Sequence, residues 1–198
     1  MTRIAVLCSG GGTNLQALID AWKQGDLAGG ELALVMASRP GVYALERAAE
    51  NGIPRVVVAR KAYATLADYD HAMAQELAQH NIDFVVTSGF LSILGSEVLS
   101  AYDNKIINVH PSLIPSFCGK GFYGLHVHEA ALAYGVKVTG ATVHFVNHIV
   151  DGGRIILQKA VDILPGDTPE ALQQRVMEQA EWILLPQAVA MYCRGELQ

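Results

Sequence analysis

Asn108 and His110 are the residues of this chain whose types and spacing are best suited to chemistry. An amide N–H and a histidine that titrates near neutrality can together stabilise a carbonyl oxygen that gains negative charge. Both lie near the end of an apolar run over residues 105–109, and alternate side chains of a strand point to the same side of a sheet. A lone histidine at a strand end is usually structural. The neighbouring asparagine and the proline-containing turn that follows favour a catalytic pair.

A candidate phosphate site lies at residues 8–14, which read CSGGGTN where a strand is expected to meet a helix. Free backbone N–H groups and the helix dipole at such a junction favour an anion, and Thr13 and Asn14 add side-chain donors. A tight turn with a helix cap would use the same residues; we favour phosphate. Leu15 stands in place of the last dinucleotide-binding glycine, and no Gly-Lys-Ser/Thr follows, so a monophosphate is expected.

Other candidate residues have simpler explanations. Asp151 precedes a glycine pair, and Asp-Gly is a favoured turn dipeptide. His126 and His128 lack a third ligand at a recognisable spacing, so no metal site is expected. Cys8 and Cys118 lack a predicted base or a thiolate-stabilising neighbour, so we interpret both as small buried residues.

The elements that must position these residues alternate along the chain. Apolar or β-branched runs predict strands over residues 3–8, 31–38, 55–59, 83–88 and 105–109. Helical faces between them are formed by three sets of residues, namely Leu15, Leu18, Ile19 and Trp22; Ala44, Leu45 and Ala48; and Leu66, Met73 and Leu77.

The second part of the chain departs from this rhythm. Prolines and glycines predict an irregular loop over 111–124, followed by a helix over 126–134 and a hairpin of strands over 138–146 and 154–163. Thr168 and Pro169 predict the start of a final helix that ends near Cys193. The expected fold is α/β: one Rossmann-like domain, a mostly parallel twisted sheet with helices on both faces and a C-terminal β-hairpin plus helix.

Composition narrows the class of protein. A chain of 198 residues, of which 51% are hydrophobic and 17% charged, suits one well-buried domain. The net charge of -5 argues against binding to nucleic acid or an anionic membrane. Three cysteines without paired spacing, and no apolar stretch of bilayer-spanning length, favour a soluble cytoplasmic protein. Nothing in the pattern indicates an oligomeric state.

A two-part pattern, NVHPSLIP at 108–115 and Asp-Gly-Gly at 151–153, resembles the folate-dependent formyltransferases. The chain is most similar to the members that formylate phosphoribosylglycinamide in purine (IMP) biosynthesis, with further matches at 9–16, 89–94, 124–128 and 143–146. The resemblance covers essentially the whole chain. It implies transfer of a formyl group from 10-formyltetrahydrofolate to the amine of 5-phospho-ribosylglycinamide, without a metal.

The resemblance also implies roles for the candidate residues. Asn108 and protonated His110 would donate to the oxyanion formed when the amine attacks the formyl carbon. Asp151 would raise the pKa of His110 and help a water to carry a proton from the amine to the folate nitrogen. Residues 1–104 would form a phosphate-binding βαβ half, and residues 105–198 a catalytic and folate-binding half.

Substrate contacts are implied in the same way. Gly12, Thr13 and Asn14 would hold the substrate phosphate, and Glu181 would lie near the ribose. The implied folate contacts are Leu91, Ser92, Ile93, Leu94, Asn108, Asn147, His148, Ile149 and Val150.

The chain departs from the family pattern at four positions. Ser92 and Leu66 stand where arginines are frequent, Trp182 where a histidine is frequent, and Arg154 where a proline is frequent. The first two departures bear on how the folate tail is held.

Three alternatives compete with this interpretation. Formyltetrahydrofolate deformylases and methionyl-tRNA formyltransferases share the Asn, His and Asp set but normally carry an additional domain. We expect neither, because the predicted elements occupy the chain from its first strand to Cys193. A non-catalytic nucleotide- or folate-binding module would use the glycine turn and keep His110 as a structural residue.

Overall fold

The computed structural model describes residues 1–197, which form a single seven-stranded sheet of order β3-β2-β1-β4-β5-β6-β7. Strands β1 to β5 are parallel to one another, β6 is antiparallel to β5, and β7 is antiparallel to β6. The strands are β1 Thr2–Cys8, β2 Gly30–Ala37, β3 Arg55–Val57, β4 Phe84–Thr87, β5 Ile106–His110, β6 Val138–Phe145 and β7 Ile155–Asp162.

Seven α-helices cover both faces of the sheet within the described range. They are α1 Thr13–Gln24, α2 Tyr43–Glu50, α3 Leu66–Gln79, α4 Ser96–Ala101, α5 Leu125–Tyr134, α6 Pro169–Val176 and α7 Trp182–Cys193. A π-helical segment, Met177–Glu181, joins the last two, and a single 3₁₀ turn spans Arg60–Ala62.

Two hydrophobic cores lie on opposite faces of the sheet because side chains alternate along each strand. On β1, Ile4 and Val6 face the core shared with α1, α2, α6 and α7. Ala5 and Leu7 face the core shared with α3 and α4. β1 is buried on both faces, which explains its unbroken apolar sequence. The predicted fold class is confirmed.

Local sequence signals explain several boundaries. Thr65 and Asp68 form a capping box at the start of α3. Thr168 accepts the N–H of Ala171 and Pro169 opens α6, as the sequence predicts. Helix α1 ends at Gly25, whose φ of 81° is the left-handed conformation that favours glycine.

Three details of the sequence prediction are wrong. Leu66 is the first residue of α3 and is 42% exposed, so it does not share the buried face of Met73 and Leu77. The final helix is interrupted by the π-helical segment rather than regular throughout. The short helix α4 was not predicted, because six residues carry too little periodicity. No helix within residues 1–197 is both long and apolar enough to cross a membrane.

The order of the strands explains where a site can form. From β1 the chain proceeds outward to β2 and β3, and then returns to add β4 and β5 on the other side of β1. At such a switch point a crevice opens outside the carboxyl ends of the strands. The glycine turn follows β1, and the segment 88–95 follows β4, so both begin at this edge.

Candidate active site

A cleft of about 410 Å³ opens at the carboxyl edge of the sheet. Its walls are the ends of β4 and β5, the segment 89–96, part of the loop after β5, and the turn after β6. Asn108, His110 and Asp151 all line this cleft. The structure therefore brings together the three residues to which chemistry was assigned from the sequence.

Asn108 is held by neighbours on both adjacent strands. The Thr87 hydroxyl donates to Asn108 Oδ1 at 2.9 Å, which turns the amide nitrogen away from β4. His144 stands directly opposite Asn108 on β6, and the Asn108 Nδ2 lies 3.2 Å from His144 Nε2. His144 Nδ1 donates to the Phe145 carbonyl at 2.8 Å, so Nε2 is the ring nitrogen that faces the Asn108 amide. Within residues 1–197, the Asn108 Nδ2 has this one hydrogen-bond partner, so one of its two hydrogens stays free.

His110 is 4% exposed and touches the loop after β5 as well as Asp151. Its Nε2 donates to the Phe117 carbonyl at 2.9 Å, and its Nδ1 lies 3.6 Å from Asp151 Oδ2. Burial lowers the pKa of His110, whereas the Asp151 charge and the Phe117 carbonyl oppose that shift. Asp151 does favour the protonated ring, but burial outweighs it. The predicted raising effect of Asp151 on the His110 pKa is therefore present, although burial makes the net shift downward.

Asp151 occupies the left-handed region of the backbone, with φ of 55°, as an aspartate in a turn can. Its Oδ2 accepts the Gly119 N–H at 2.8 Å, and its Oδ1 lies 3.6 Å from His144 Nε2. Burial alone would raise the pKa of Asp151, but the contacts with His144, His110 and Gly119 outweigh burial and lower it. The carboxylate is therefore ionised at neutral pH.

The Gly152–Gly153 pair has a steric purpose beside this aspartate. A Cβ on Gly153 would overlap the Phe145 carbonyl, and one on Gly152 would lie 2.5 Å from the Ile149 side chain. Only glycines allow the turn to fold back so closely. The glycine pair that predicts a turn from the sequence is therefore also what allows Asp151 to line the cleft.

The residues expected to contact folate line the same cleft. Leu91, Ile93 and Ile149 are 61%, 66% and 68% exposed, which is unusual for large apolar side chains. They form an apolar rim above the polar floor. The other lining residues among those expected are Ser92, Leu94, Asn108, Asn147, His148 and Val150.

The glycine turn lies beside the cleft rather than on its wall. Gly12 has φ of 71°, and a Cβ there would lie 2.9 Å from the Ala44 side chain. Asn14 and Glu181 are both buried and bonded to each other, with Asn14 Nδ2 2.7 Å from Glu181 Oε2. Burial raises the pKa of Glu181 to about 7, against the lowering effect of that bond. Thr13 is exposed, with its hydroxyl 3.7 Å from the Met177 sulfur.

One serine connects the glycine turn to the cleft. The Ser9 hydroxyl accepts the N–H of Leu91 at 2.9 Å and is hydrogen-bonded to the Ser38 hydroxyl at 2.7 Å. The two sets of predicted contacts are therefore adjacent, although the residues of the glycine turn do not line the cleft.

Comparison with known proteins decides the family. The model of the family described as "Formyl transferase" matches residues 2–189. The chain belongs to the formyl transferase family. It is similar to phosphoribosylglycinamide formyltransferase of Haemophilus influenzae, with 37% identity over 198 residues, covering 100% of this chain and 90% of that protein. It is also similar to glycinamide ribonucleotide transformylase 1 of Symbiobacterium toebii, with a TM-score of 0.92, 40% identity and coverage of 98% and 89%.

Other relatives of this formyl transferase are much longer. The trifunctional purine biosynthetic protein adenosine-3 of Drosophila melanogaster is 41% identical over 196 residues, which cover 98% of this chain but 14% of that protein. The chain thus spans about a seventh of that relative's length.

The cleft is not lined by Cys8, Cys118, His126 or His128, for which the sequence predicts no chemistry. Cys8 is fully buried, as expected, and burial raises the pKa of its thiol to about 12. Cys118 is only partly buried, so the interpretation as a buried residue is wrong for it, and its thiol donates to the Pro115 carbonyl. His126 contacts Glu129 at the surface, whereas His128 is fully buried. Within residues 1–197, no group of three or more His, Cys, Asp or Glu is arranged to hold a metal ion.

Sequence reasoning missed the residues that orient Asn108, His110 and Asp151. Thr87 and His144 hold the Asn108 amide, and Gly119 and Phe117 reach the site from the loop after β5. His144 had a signal, since alternation on β6 turns it to the same side as Asn108 once the hairpin register is known. Thr87 lies near the end of the strand predicted over residues 83–88, and it pairs with Asn108 in the sheet. The loop contacts gave no signal, because irregular backbone has no periodicity.

Proposed function

We propose that this chain transfers the formyl group of 10-formyltetrahydrofolate to the primary amine of 5-phospho-ribosylglycinamide, giving the N-formyl product and tetrahydrofolate in purine (IMP) biosynthesis. The observation that carries the proposal is the convergence of Asn108, His110 and Asp151 in one cleft of a formyl transferase. The names of the relatives that match nearly end to end support the choice of substrate.

The chemical step needs donors for a developing oxyanion. The amine nitrogen attacks the formyl carbon, a C–N bond forms, and the carbonyl oxygen takes the negative charge of a tetrahedral intermediate. The free N–H of the Asn108 amide, fixed by Thr87 and His144, donates to that oxygen. His110 supplies the second donor when its Nε2–H leaves the Phe117 carbonyl.

Collapse of the intermediate moves a proton. The bond between the formyl carbon and the folate nitrogen breaks, that nitrogen gains a proton, and the attacking amine loses one. Asp151 is ionised and lies beside His110, so it holds the water that carries this proton and stabilises a charged imidazole. In the net reaction the amine nitrogen exchanges an N–H for an N–formyl bond, and the folate nitrogen exchanges its N–formyl bond for an N–H.

The amine substrate is assigned to the side of the glycine turn. The backbone N–H groups of Gly12, Thr13 and Asn14 and the exposed Thr13 hydroxyl lie at the start of α1, where an anion is favoured. Glu181 lies behind them on the π-helical segment and receives the ribose hydroxyls. The phosphate contacts thus come from residues 1–104 and the catalytic groups from 105–198, while Glu181 joins the phosphate side from the helical segment that packs beside α1.

The cleft suits a folate in chemistry and size. Its volume of about 410 Å³ is in the range of small-molecule sites, and its apolar rim matches a flat aromatic ring. Leu91, Ser92, Ile93 and Leu94 form one wall, and the turn Asn147, His148, Ile149, Val150 the other. Ser92 and Leu66 provide no cation for the folate tail. The unpaired cysteines fit a reducing compartment such as the cytoplasm.

The proposal is tested by turnover of the donor. Purified protein is mixed with 10-formyltetrahydrofolate, with and without phosphoribosylglycinamide, and formation of tetrahydrofolate is followed. We expect turnover only when the amine is present. Turnover without the amine would instead assign a deformylase, and no turnover by a folded protein that binds the donor would assign a binding module.

A further inference from the structure

Asp70 is a buried carboxylate that takes no part in the chemistry described above. It lies on α3, is 3% exposed, and does not line the cleft. No lysine or arginine is bonded to it in the described part of the chain; its oxygens bond to backbone instead. Burying an ionised carboxylate is costly unless its hydrogen-bonding capacity is satisfied. The hydrogen bonds of Asp70 therefore indicate what this buried carboxylate does.

The partners of Asp70 are three backbone N–H groups at the start of α4. Asp70 Oδ1 accepts from Gly95 at 2.8 Å, and Oδ2 accepts from Glu97 at 2.8 Å and from Val98 at 3.3 Å. The first N–H groups of a helix have no partner within it. Asp70 therefore caps α4 from a different helix, because Gly95, the N-cap residue, has no side chain.

The capped segment is continuous with one wall of the cleft. Leu94 immediately precedes Gly95, and Ser96 and Leu99 of α4 line the cleft themselves. The other end of this wall is held by Ser9, which accepts the N–H of Leu91. The wall is thus fixed at two points, one on the glycine turn and one on α3.

The geometry at Gly95 ties its identity to Asp70. A Cβ on Gly95 would lie 2.5 Å from both Cγ and Oδ2 of Asp70. The backbone of Gly95, with φ of −91°, is one that any residue adopts. Glycine is therefore required to make room for the carboxylate and not for conformational freedom.

We propose that Asp70 is a positioning residue for the formyl donor. By holding the start of α4, Asp70 keeps the wall 91–95 in position to contact the donor. The inference rests on the proposed function for its kinetic readout. Loss of the cap lets the wall shift, and the donor loses contact on one side. The amine subsite lies elsewhere and keeps its geometry.

The test compares Asp70→Asn with His71→Ala. His71 also joins α3 to α4, through Glu97 at 2.9 Å, but on the exposed surface, and so serves as a matched control. We expect Asp70→Asn to raise the KM for 10-formyltetrahydrofolate by roughly tenfold, the effect of losing a charge-assisted hydrogen bond. The KM for phosphoribosylglycinamide and kcat should change less than about threefold, and His71→Ala should change none of these.

A second pair of variants distinguishes positioning from general damage. Asp70→Ala alone should raise the donor KM, as should Gly95→Asp alone, because the new side chain collides with Asp70. The double variant Asp70→Ala with Gly95→Asp places a local cap in the vacated space and should recover most of the donor affinity. Additive losses in the double variant would overturn the proposal.

Amide hydrogen exchange gives a readout that does not depend on the reaction. In Asp70→Asn, the N–H groups of Gly95, Glu97 and Val98 should exchange faster, while those of β1 and β5 remain protected. If these N–H groups exchange faster but an equilibrium titration shows unchanged affinity for the donor, the proposal that Asp70 positions the wall is overturned. If the wild-type protein binds the donor but transfers nothing, the proposed function fails while this positioning role is still measurable.

Discussion

The cleft and the glycine turn hold their polar groups in different ways. In the cleft, Asn108, His110 and Asp151 lie on strand ends and a tight turn, and each has partners that fix its orientation. At the glycine turn, Ser9 is bonded to Leu91 and Ser38, and Asn14 and Glu181 form a buried pair between two helical segments. In the proposed reaction, the cleft would stabilise charge that appears on the formyl oxygen. The turn would hold the substrate phosphate, and burial raises the pKa of Glu181 beside it to about 7.

The largest expected effect is loss of turnover from the cleft. Asn108→Ala removes one oxyanion donor, and Asp151→Ala removes the partner of His110. Each should lower kcat/KM by about 10²–10³-fold without unfolding the protein, because these groups carry little of the core. Steady-state kinetics measures the loss. Asp162→Ala, an exposed aspartate at the end of β7, is the control and should be unchanged.

Near-normal turnover in both cleft variants would remove the distinction between the two regions. Their circular dichroism spectra and melting temperatures must match those of the wild type for the comparison to hold.

Glu181 should show its raised pKa in the pH dependence of stability. The pKa is about 7 in the folded protein and 4.5 in the reference state, so the folded protein binds the proton more tightly. Stability from this group is present below pH 4.5 and is lost as pH rises through 7. Between pH 5 and pH 8, wild type should therefore lose about 2–3 kcal/mol more free energy of unfolding than Glu181→Gln does.

Urea denaturation at both pH values measures that difference directly. An equal offset at the two pH values would show that Glu181 is ionised throughout and that the glycine turn resembles the cleft after all.

His128 provides a smaller effect of opposite sign. It is fully buried behind His110, and burial lowers its pKa to about 4. Neither ring nitrogen has a hydrogen-bond partner among residues 1–197. Because the folded state disfavours the proton, stability falls as pH drops below the ordinary pKa of 6.5. When the pH falls from 8 to 5.5, the difference in free energy of unfolding between His128→Phe and wild type should shift in favour of the variant by about 1 kcal/mol.

Thermal unfolding at the two pH values provides the check. A wild-type protein whose relative stability is independent of pH in this range would mean that the ring is hydrated or paired.

The smallest expected effect is at Cys118. Its thiol donates to the Pro115 carbonyl and has no role in the proposed chemistry. Cys118→Ser keeps a donor at that position, so turnover should stay within about twofold of wild type. A large loss of kcat would make the thiol part of the cleft and would require a different mechanism.

The sequence was sufficient for the fold and for part of the site. Strand alternation placed Asn108 and His110 on one side of β5, and helical spacing found α1, α2 and the buried part of α3. These features depend on periodicity, which is local. The family resemblance added Asp151, which local context explained equally well as a turn.

What could not be predicted depends on long-range packing. The net pKa of His110 follows from burial against a loop whose course no repeat encodes. The Asn14–Glu181 bond joins residues 167 positions apart. The same is true of Asp70, whose carboxylate reads as one more polar residue of α3 until α4 is seen against it.

The most direct test of the account follows the formyl carbon itself. Donor labelled with ¹³C in the formyl group is incubated with phosphoribosylglycinamide and the wild-type protein, or with Asn108→Ala. The account predicts that the label appears in the N-formyl amide of the product, at a rate about 10²–10³-fold lower in the variant, and not in formate. Label recovered as formate, or equal rates in the two proteins, would contradict it.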